Sequence, residues 1–175
     1  MAAALDALEI DNLLVLERGE IGESFRRWPK QMRFITPSFD SMAYGSVDLN
    51  SIHPLTSPAH MLGVEHPSGA AYAGYLARFA AMGELKVQTG VDVQSVESAK
   101  RGGFALRTSR GVYRAKHVVW AAGEFQYPKR NGFEGADLCV HNGAVRDWGN
   151  WVPARPRSVT ARSSLLPKPS IVHVL

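Results

Sequence analysis

A single cysteine, Cys139, among 175 residues excludes an internal disulfide and fits a reducing compartment. No apolar run approaches the ~20 residues that a membrane span needs, so no membrane span is expected. The opening stretch MAAALDALE carries Asp6 and Glu9 and no positive region, which is not how a signal peptide begins. The expected location is the cytoplasm. Acidic side chains are missing from Trp148 to Leu175, while Arg155, Arg157, Arg162 and Lys168 are present. The net charge of +4 and the pI of about 9.4 therefore report a basic tail rather than a basic stripe along one helix. Nucleic acid is not an expected partner.

What is present suits one folded unit: 45% of the residues are hydrophobic and 21% are charged. Residues 1–148 carry patterned structure, and residues 149–175 form a Pro/Arg/Ser-rich tail expected to be irregular or disordered. Residues 2–9 are strong helix formers, followed directly by the apolar run LLVLE at 13–17, suited to a parallel strand covered on both faces. GESFRRW can make about two helical turns before Pro29. Residues 30–67, with Pro37, Pro54, Pro58 and Pro67, predict a long irregular loop. Ser68 then caps a helix that Gly83 closes, with Tyr72, Leu76 and Phe79 on its apolar face. LKVQTG and VDVQSVES read as strands, GFALRTSRGVYRAK as two more around a Ser109-Arg110-Gly111 turn, and His117–Ala121 as a buried strand rejoining the main sheet.

Two stretches could hold a nucleotide. Glu17 ends the first apolar strand, and an acid at the carboxyl edge of a parallel sheet can accept both hydroxyls of an adenosine ribose; its plainer alternative is a solvated strand-end acid. In HVVWAAGEF the strand closes on Ala121, Ala122 and Gly123, where small side chains admit a close backbone approach, or simply pack tightly. Other residues carry less. His53, His60 and His66 have neither a helical-pair nor a zinc-finger spacing and read as loop histidines. VEHPSG lacks the strand-to-helix glycine elbow that exposes a nucleophilic serine. Cys139 reads as a small buried apolar residue, and Trp28, Trp120, Trp148 and Trp151 as packing, with Trp28 of interest because it follows the Phe25 turn.

The order LLVLERGEIGESFRRWP, a Pro-rich loop, YAGYLARFAAMGELKVQTGVDVQSVE and GFALRTSRGVYRAKHVVWAAGEFQYPKRNGFEG resembles class B flavin-dependent monooxygenases and their FAD/NAD(P)-binding oxidoreductase relatives. The resemblance covers about residues 2–148. It implies an α/β fold: a partial FAD/NAD(P)-binding Rossmann-like domain, with a parallel sheet, helices and an antiparallel β meander. It places Glu17 at the FAD ribose, Arg18 among the cofactor-binding residues, Gly22 and Phe25 in the turn beside the flavin, Val93 at the adenine, and Ala122 and Gly123 in the signature closing the FAD half. The turn often reads Gly-Gly-x-Trp in the family; here Gly22-Glu23-Ser24-Phe25 keeps an aromatic but lacks the second glycine. A polar residue near the flavin corresponds to Thr36 or Ser38, without a choice between them. The implied activity is NADPH-dependent reduction of FAD, followed by oxygen transfer to a small-molecule substrate. A disulfide reductase with a redox cysteine pair is disfavoured by the lone Cys139.

Two family parts are missing from the sequence. No G-x-G-x-x-G occurs anywhere in it, so the backbone cradle for the FAD pyrophosphate is absent, and no glycine pair for NADPH follows AVRDW. MAAALDALEIDN resembles the last turns of the helix that follows the first glycine loop. The expectation is a fragment, with a wrong start and a frameshift near Trp148 as one origin that the encoding DNA would test. The alternative to a working oxidoreductase is then a truncated, non-catalytic chain unable to hold FAD alone, or half of a domain completed by another polypeptide. Oligomerisation or aggregation through exposed sheet edges is expected in either case.

Overall fold

One fourteen-residue helix organises the structure, a computed structural model that describes residues 1–10, 12–38, 48–100, 102–123, 127 and 133–150. In chain order the elements are α1 (Ala2–Asp6), β1 (Val15–Leu16), α2 (Glu23–Arg26), α3 (Pro58–Leu62), α4 (Gly69–Met82), β2 (Val87–Gln88), β3 (Val93–Ser98), β4 (Phe104–Thr108) and β5 (Gly111–Ala115). Two single 3-10 turns, at Ala136–Leu138 and Asn142–Ala144, follow. This is an α/β chain with a parallel pair, β1 beside β2, and a separate antiparallel meander in the order β3-β4-β5. The tail expected at 149–175 lies outside the described residues beyond Asn150, as does Trp151.

Helix α4 begins and ends where its capping residues predict. Ser68 accepts the Ala71 N–H at 3.2 Å, and Gly83 follows the last helical residue. Its buried face differs from the expected one. Gly69, Tyr72, Ala73, Tyr75 and Ala80 are buried, with Tyr75 at 0% exposure, whereas Leu76 and Phe79 are only half-buried. A tyrosine can be buried when its hydroxyl finds partners. The Tyr75 hydroxyl accepts the Ile52 N–H at 3.2 Å and lies 2.7 Å from Thr56 Oγ1, so the proline-rich loop supplies them.

The small residues on that face let α2 come close. A Cβ at Gly69 would lie 2.1 Å from the Phe25 carbonyl oxygen, and one at Gly22 would lie 2.8 Å from the Ala73 Cα. Gly22 has φ +79°, a left-handed conformation that glycine adopts without a Cβ penalty. Helix α2 is accordingly a single turn, shorter than the two turns expected. The loop at 30–67 is not wholly irregular either: α3 forms inside it, capped by Ser57 and closed by Gly63 at φ +66°. Pro58 at its first position suits a helix start, because the missing N–H would have had no helical partner.

The meander follows the sequence pattern closely. Strand β4 pairs with β3 from Val93↔Thr108 to Ser98↔Phe104 and with β5 from Phe104↔Ala115 to Thr108↔Gly111. The strand expected at His117–Ala121 does not form. Residues 117–123 have no regular structure, and Val119 and Trp120 are 58% and 67% exposed. A parallel strand buried on both faces requires a neighbour to satisfy its backbone. Among the described residues the parallel sheet contains β1 and β2 alone, and segment 117–123 pairs with neither.

Candidate functional site

The two parallel strands end side by side, and their carboxyl ends carry the first group of candidate residues. Val15 pairs with Val87 and Leu16 with Gln88. The Glu17 N–H donates to the Gln88 carbonyl at 2.9 Å, and the Val91 N–H donates back to the Glu17 carbonyl at 2.9 Å. The Gly90 N–H donates to the Gly19 carbonyl at 3.2 Å. Glu17 is half-buried, and its Oε1 accepts the Gly19 N–H at 2.7 Å, which fixes the carboxylate over the turn. Val91 is buried and Val93 half-buried; Val93 opens β3 at a register irregularity opposite Thr108. Glu17 and the Gln88–Val93 stretch therefore form one edge, at the position where open α/β sheets bind ligands.

Two further cations stand at this edge. Arg18 donates from Nη1 to the Tyr127 hydroxyl at 3.0 Å, tying the end of β1 to the segment beyond Gly123. Arg110, from the β4–β5 turn, reaches over Gly90: a Cβ at Gly90, where φ is +66°, would lie 2.9 Å from Arg110 Nη2. Sequence reasoning overlooked Arg110. Its one signal is the Ser109-Arg110-Gly111 turn, and only the docking of that turn, through Asp92 N–H to Ser109 Oγ at 3.0 Å and Ser109 N–H to the Asp92 carbonyl at 2.9 Å, brings it to Gly90.

Gly22 and Phe25 form a second group, built on α4. Phe25 packs against Trp28, Phe34 and Tyr72 with ring centroids 5.2, 5.7 and 4.8 Å away. Glu23, the residue after Gly22, pairs with Arg27 at 2.7 Å. That hydrogen bond and charge hold the Glu23 carboxyl below its ordinary range. Burial pushes the Tyr72 phenol up, with Tyr75 and Asp48 adding in the same direction. Beside Thr36, which is exposed, Ser38 is wholly buried.

Ala122 and Gly123 are not gathered into either group's strands. Both are exposed, and Gly123, at φ +79°, has open space where a Cβ would be. Cys139 is exposed rather than buried, at the end of the 3-10 turn Ala136–Leu138. His53 packs on Phe79 with centroids 5.5 Å apart, and His66 Nδ1 lies 2.8 Å from the Phe34 carbonyl. Among the described residues, no cluster of three His, Cys, Asp or Glu could hold a metal. An open apolar cleft of about 300 Å³ lies elsewhere, between Ala3, Leu55, Met61, Phe79 and Met82. Among the described residues, no helix is long and apolar enough to cross a membrane.

The profile of the pyridine nucleotide-disulphide oxidoreductase family matches residues 1–154. The chain belongs to that family. Its fold is similar to that of the bacillithiol disulfide reductase Bdr (YpdA) from Bacillus cereus, with a TM-score of 0.57 and 20% identity over 78% of this chain. It is also similar to an oxidised steroid monooxygenase bound to NADP, with a TM-score of 0.51 and 20% identity over 79% of this chain. The chain spans 40% and 27% of the lengths of those two proteins. The parallel pair, helices and meander are thus part of a FAD/NAD(P)-binding Rossmann-like domain, as the resemblance implied.

Proposed function

We propose that this chain derives from a FAD-dependent oxidoreductase of the NADPH-using, monooxygenase-like type, and that its strand-end acid binds the ribose of the FAD adenosine. The observation that carries this reading is the edge formed by Glu17 and Gln88–Val91, with the Glu17 carboxylate already oriented by the Gly19 N–H. In this reading Arg18 neighbours the ribose, the Val93 backbone meets the adenine, Gly22 and Phe25 stand beside the flavin, and Ala122 and Gly123 close the cofactor half. FAD would supply the redox chemistry and the protein its position and a dry surround. NADPH is the proposed reductant, a choice supported by the NADP in the steroid monooxygenase structure. The substrate is a small molecule.

The residues fit the two ends of the cofactor unequally. The ribose end has an oriented acid, while no G-x-G-x-x-G exists in the sequence to cradle a pyrophosphate. That absence favours a second reading, in which the chain is non-catalytic alone or is completed by a polypeptide that carries the phosphate loop.

Titration of purified chain with FAD, read by flavin absorbance and fluorescence, separates the two. Binding at micromolar FAD, weakened roughly tenfold or more in Glu17→Ala, is the expected result of the first reading, because hydrogen bonds to a charged group are lost. No binding by the chain alone favours the second reading. An unchanged Kd in Glu17→Ala removes Glu17 from the site.

A further inference from the structure

The carboxylate of Asp48 is among the most deeply enclosed polar groups described, at 0% exposure, and lies outside every element. Its Oδ2 accepts the Ser57 hydroxyl at 2.8 Å and the Ala59 N–H at 3.5 Å, which ties it to the start of α3. Its Oδ1 accepts the Asn50 N–H at 2.7 Å. Asn50 is held from a second side, since the Tyr72 hydroxyl of α4 donates to its carbonyl at 2.8 Å. With its backbone fixed at both ends, the Asn50 amide nitrogen donates to the Thr36 carbonyl and to Ser38 Oγ, each at 2.9 Å. Ser38 is itself at 0% exposure, and its N–H donates to the Glu65 carbonyl at 2.6 Å. The chain of bonds therefore runs from a buried carboxylate through one amide to the loop that follows Phe34, whose ring stacks on Phe25 at 5.7 Å and packs on Tyr72 at 4.5 Å.

A wholly buried carboxylate is costly unless its oxygens are satisfied. Here its partners come from the start of α3 on one oxygen and from the irregular stretch at Asn50 on the other, so the charge ties a loop to a helix end. We propose that Asp48 is a positioning residue: acting through Asn50, it fixes the Phe34–Ser38 loop against the aromatic turn, which rests on the cofactor reading for Phe25. The arrangement assigns different tasks to the two polar candidates of that loop. Ser38, wholly buried, is the anchor, and Thr36, held through its backbone carbonyl, is the exposed one left for a ligand.

Asn50→Ala is the selective test, because it removes the two side-chain donors to the loop and leaves the backbone bonds to Asp48 and Tyr72. Amide exchange of the Phe34–Ser38 peptide, followed by mass spectrometry, is expected to accelerate roughly tenfold in Asn50→Ala and in Asp48→Asn. The double variant is expected to exchange no faster than the single ones, since both act on one path. Additive effects, or unchanged exchange in Asn50→Ala, overturn the proposal. Asp48→Asn retains the shape of the side chain; if it does not fold, Asn50→Ala decides by itself. In chain loaded with FAD, a shift of the flavin absorbance band in Asn50→Ala, with Kd little changed, is the signature of a loop touching the flavin, and an unmoved band overturns the link to the cofactor. Wild-type chain that takes up no FAD favours the second reading of its function and overturns that link for the chain alone, while the exchange arm still decides whether Asp48 holds the loop.

Discussion

The meander is a fully paired three-stranded sheet, whereas the parallel pair is minimal. Strands β3, β4 and β5 have five or six residues each and pair along their length. Strands β1 and β2 have two residues each, and the apolar run at 117–121 joins neither. The meander needs only its own neighbours in sequence, joined by short turns. The parallel pair brings residue 15 to residue 87, so it depends on α4 and on the contacts that seat the aromatic turn upon it. Local pairing is cheap in loop-closure entropy, and parallel pairing is not.

The strongest way to break this contrast is at the helix contact. Gly69→Ala places a Cβ about on the Phe25 carbonyl and is expected to cost about 3 kcal/mol; urea unfolding should show the loss, with the Phe34–Ser38 loop and the turn at Gly22 deprotected first in amide exchange while β3–β5 remain protected. Uniform deprotection of both halves would mean that the two sheets stand or fall together. Gly103→Ala attacks the other half. Gly103 has φ +75°, and a Cβ there would lie 2.6 Å from the Ala115 carbonyl oxygen, so a cost of about 2 kcal/mol is expected. Exchange should rise along Val93–Ala115 and leave α4 protected.

The smallest effect expected is electrostatic. Glu23 has a depressed pKa in the folded chain, from its bond to Arg27, so its contribution is fully present above the unfolded value of 4.5 and is lost as pH falls through the lower folded value. An exposed i, i+4 pair contributes about 0.3–0.5 kcal/mol. Urea midpoints of wild type and Glu23→Gln should differ slightly at pH 7 and converge as the pH falls through the folded value of Glu23, below 4.5. A difference that persists in acid would assign the effect to packing of Glu23 over Gly19 instead of to charge.

Much of the architecture was legible in sequence because its signals are local. Ser68 and Gly83 bracket α4, the Ser109-Arg110-Gly111 turn ends β4, and Glu17 ends the apolar run that becomes β1. The site was legible in part. Glu17 stands at the end of β1, and its bonds to Gln88 and Val91 set it beside the segment that leads into Val93. Asp48 carried no legible signal. It sits in a stretch whose prolines and polar residues read as solvated loop, and its importance comes from Ser57, Asn50 and Tyr72, which are distant or unpatterned in sequence. Cys139 was misjudged for a related reason: residue type favours burial, yet Cys139 is exposed after the 3-10 turn at Ala136–Leu138.

The sequence by itself determined the positions of the α4 caps, the three meander strands and the acid at the end of β1, because hydrogen bonding to near neighbours depends on residues a few positions away. Tertiary structure alone decided that Tyr75 rather than Leu76 or Phe79 is fully buried, that Asp48 is enclosed, that Arg110 stands over Gly90, and that Val119 and Trp120 remain exposed. Each of these depends on what another part of the chain brings to the residue, and burial of a polar or apolar group is favourable only when that partner arrives.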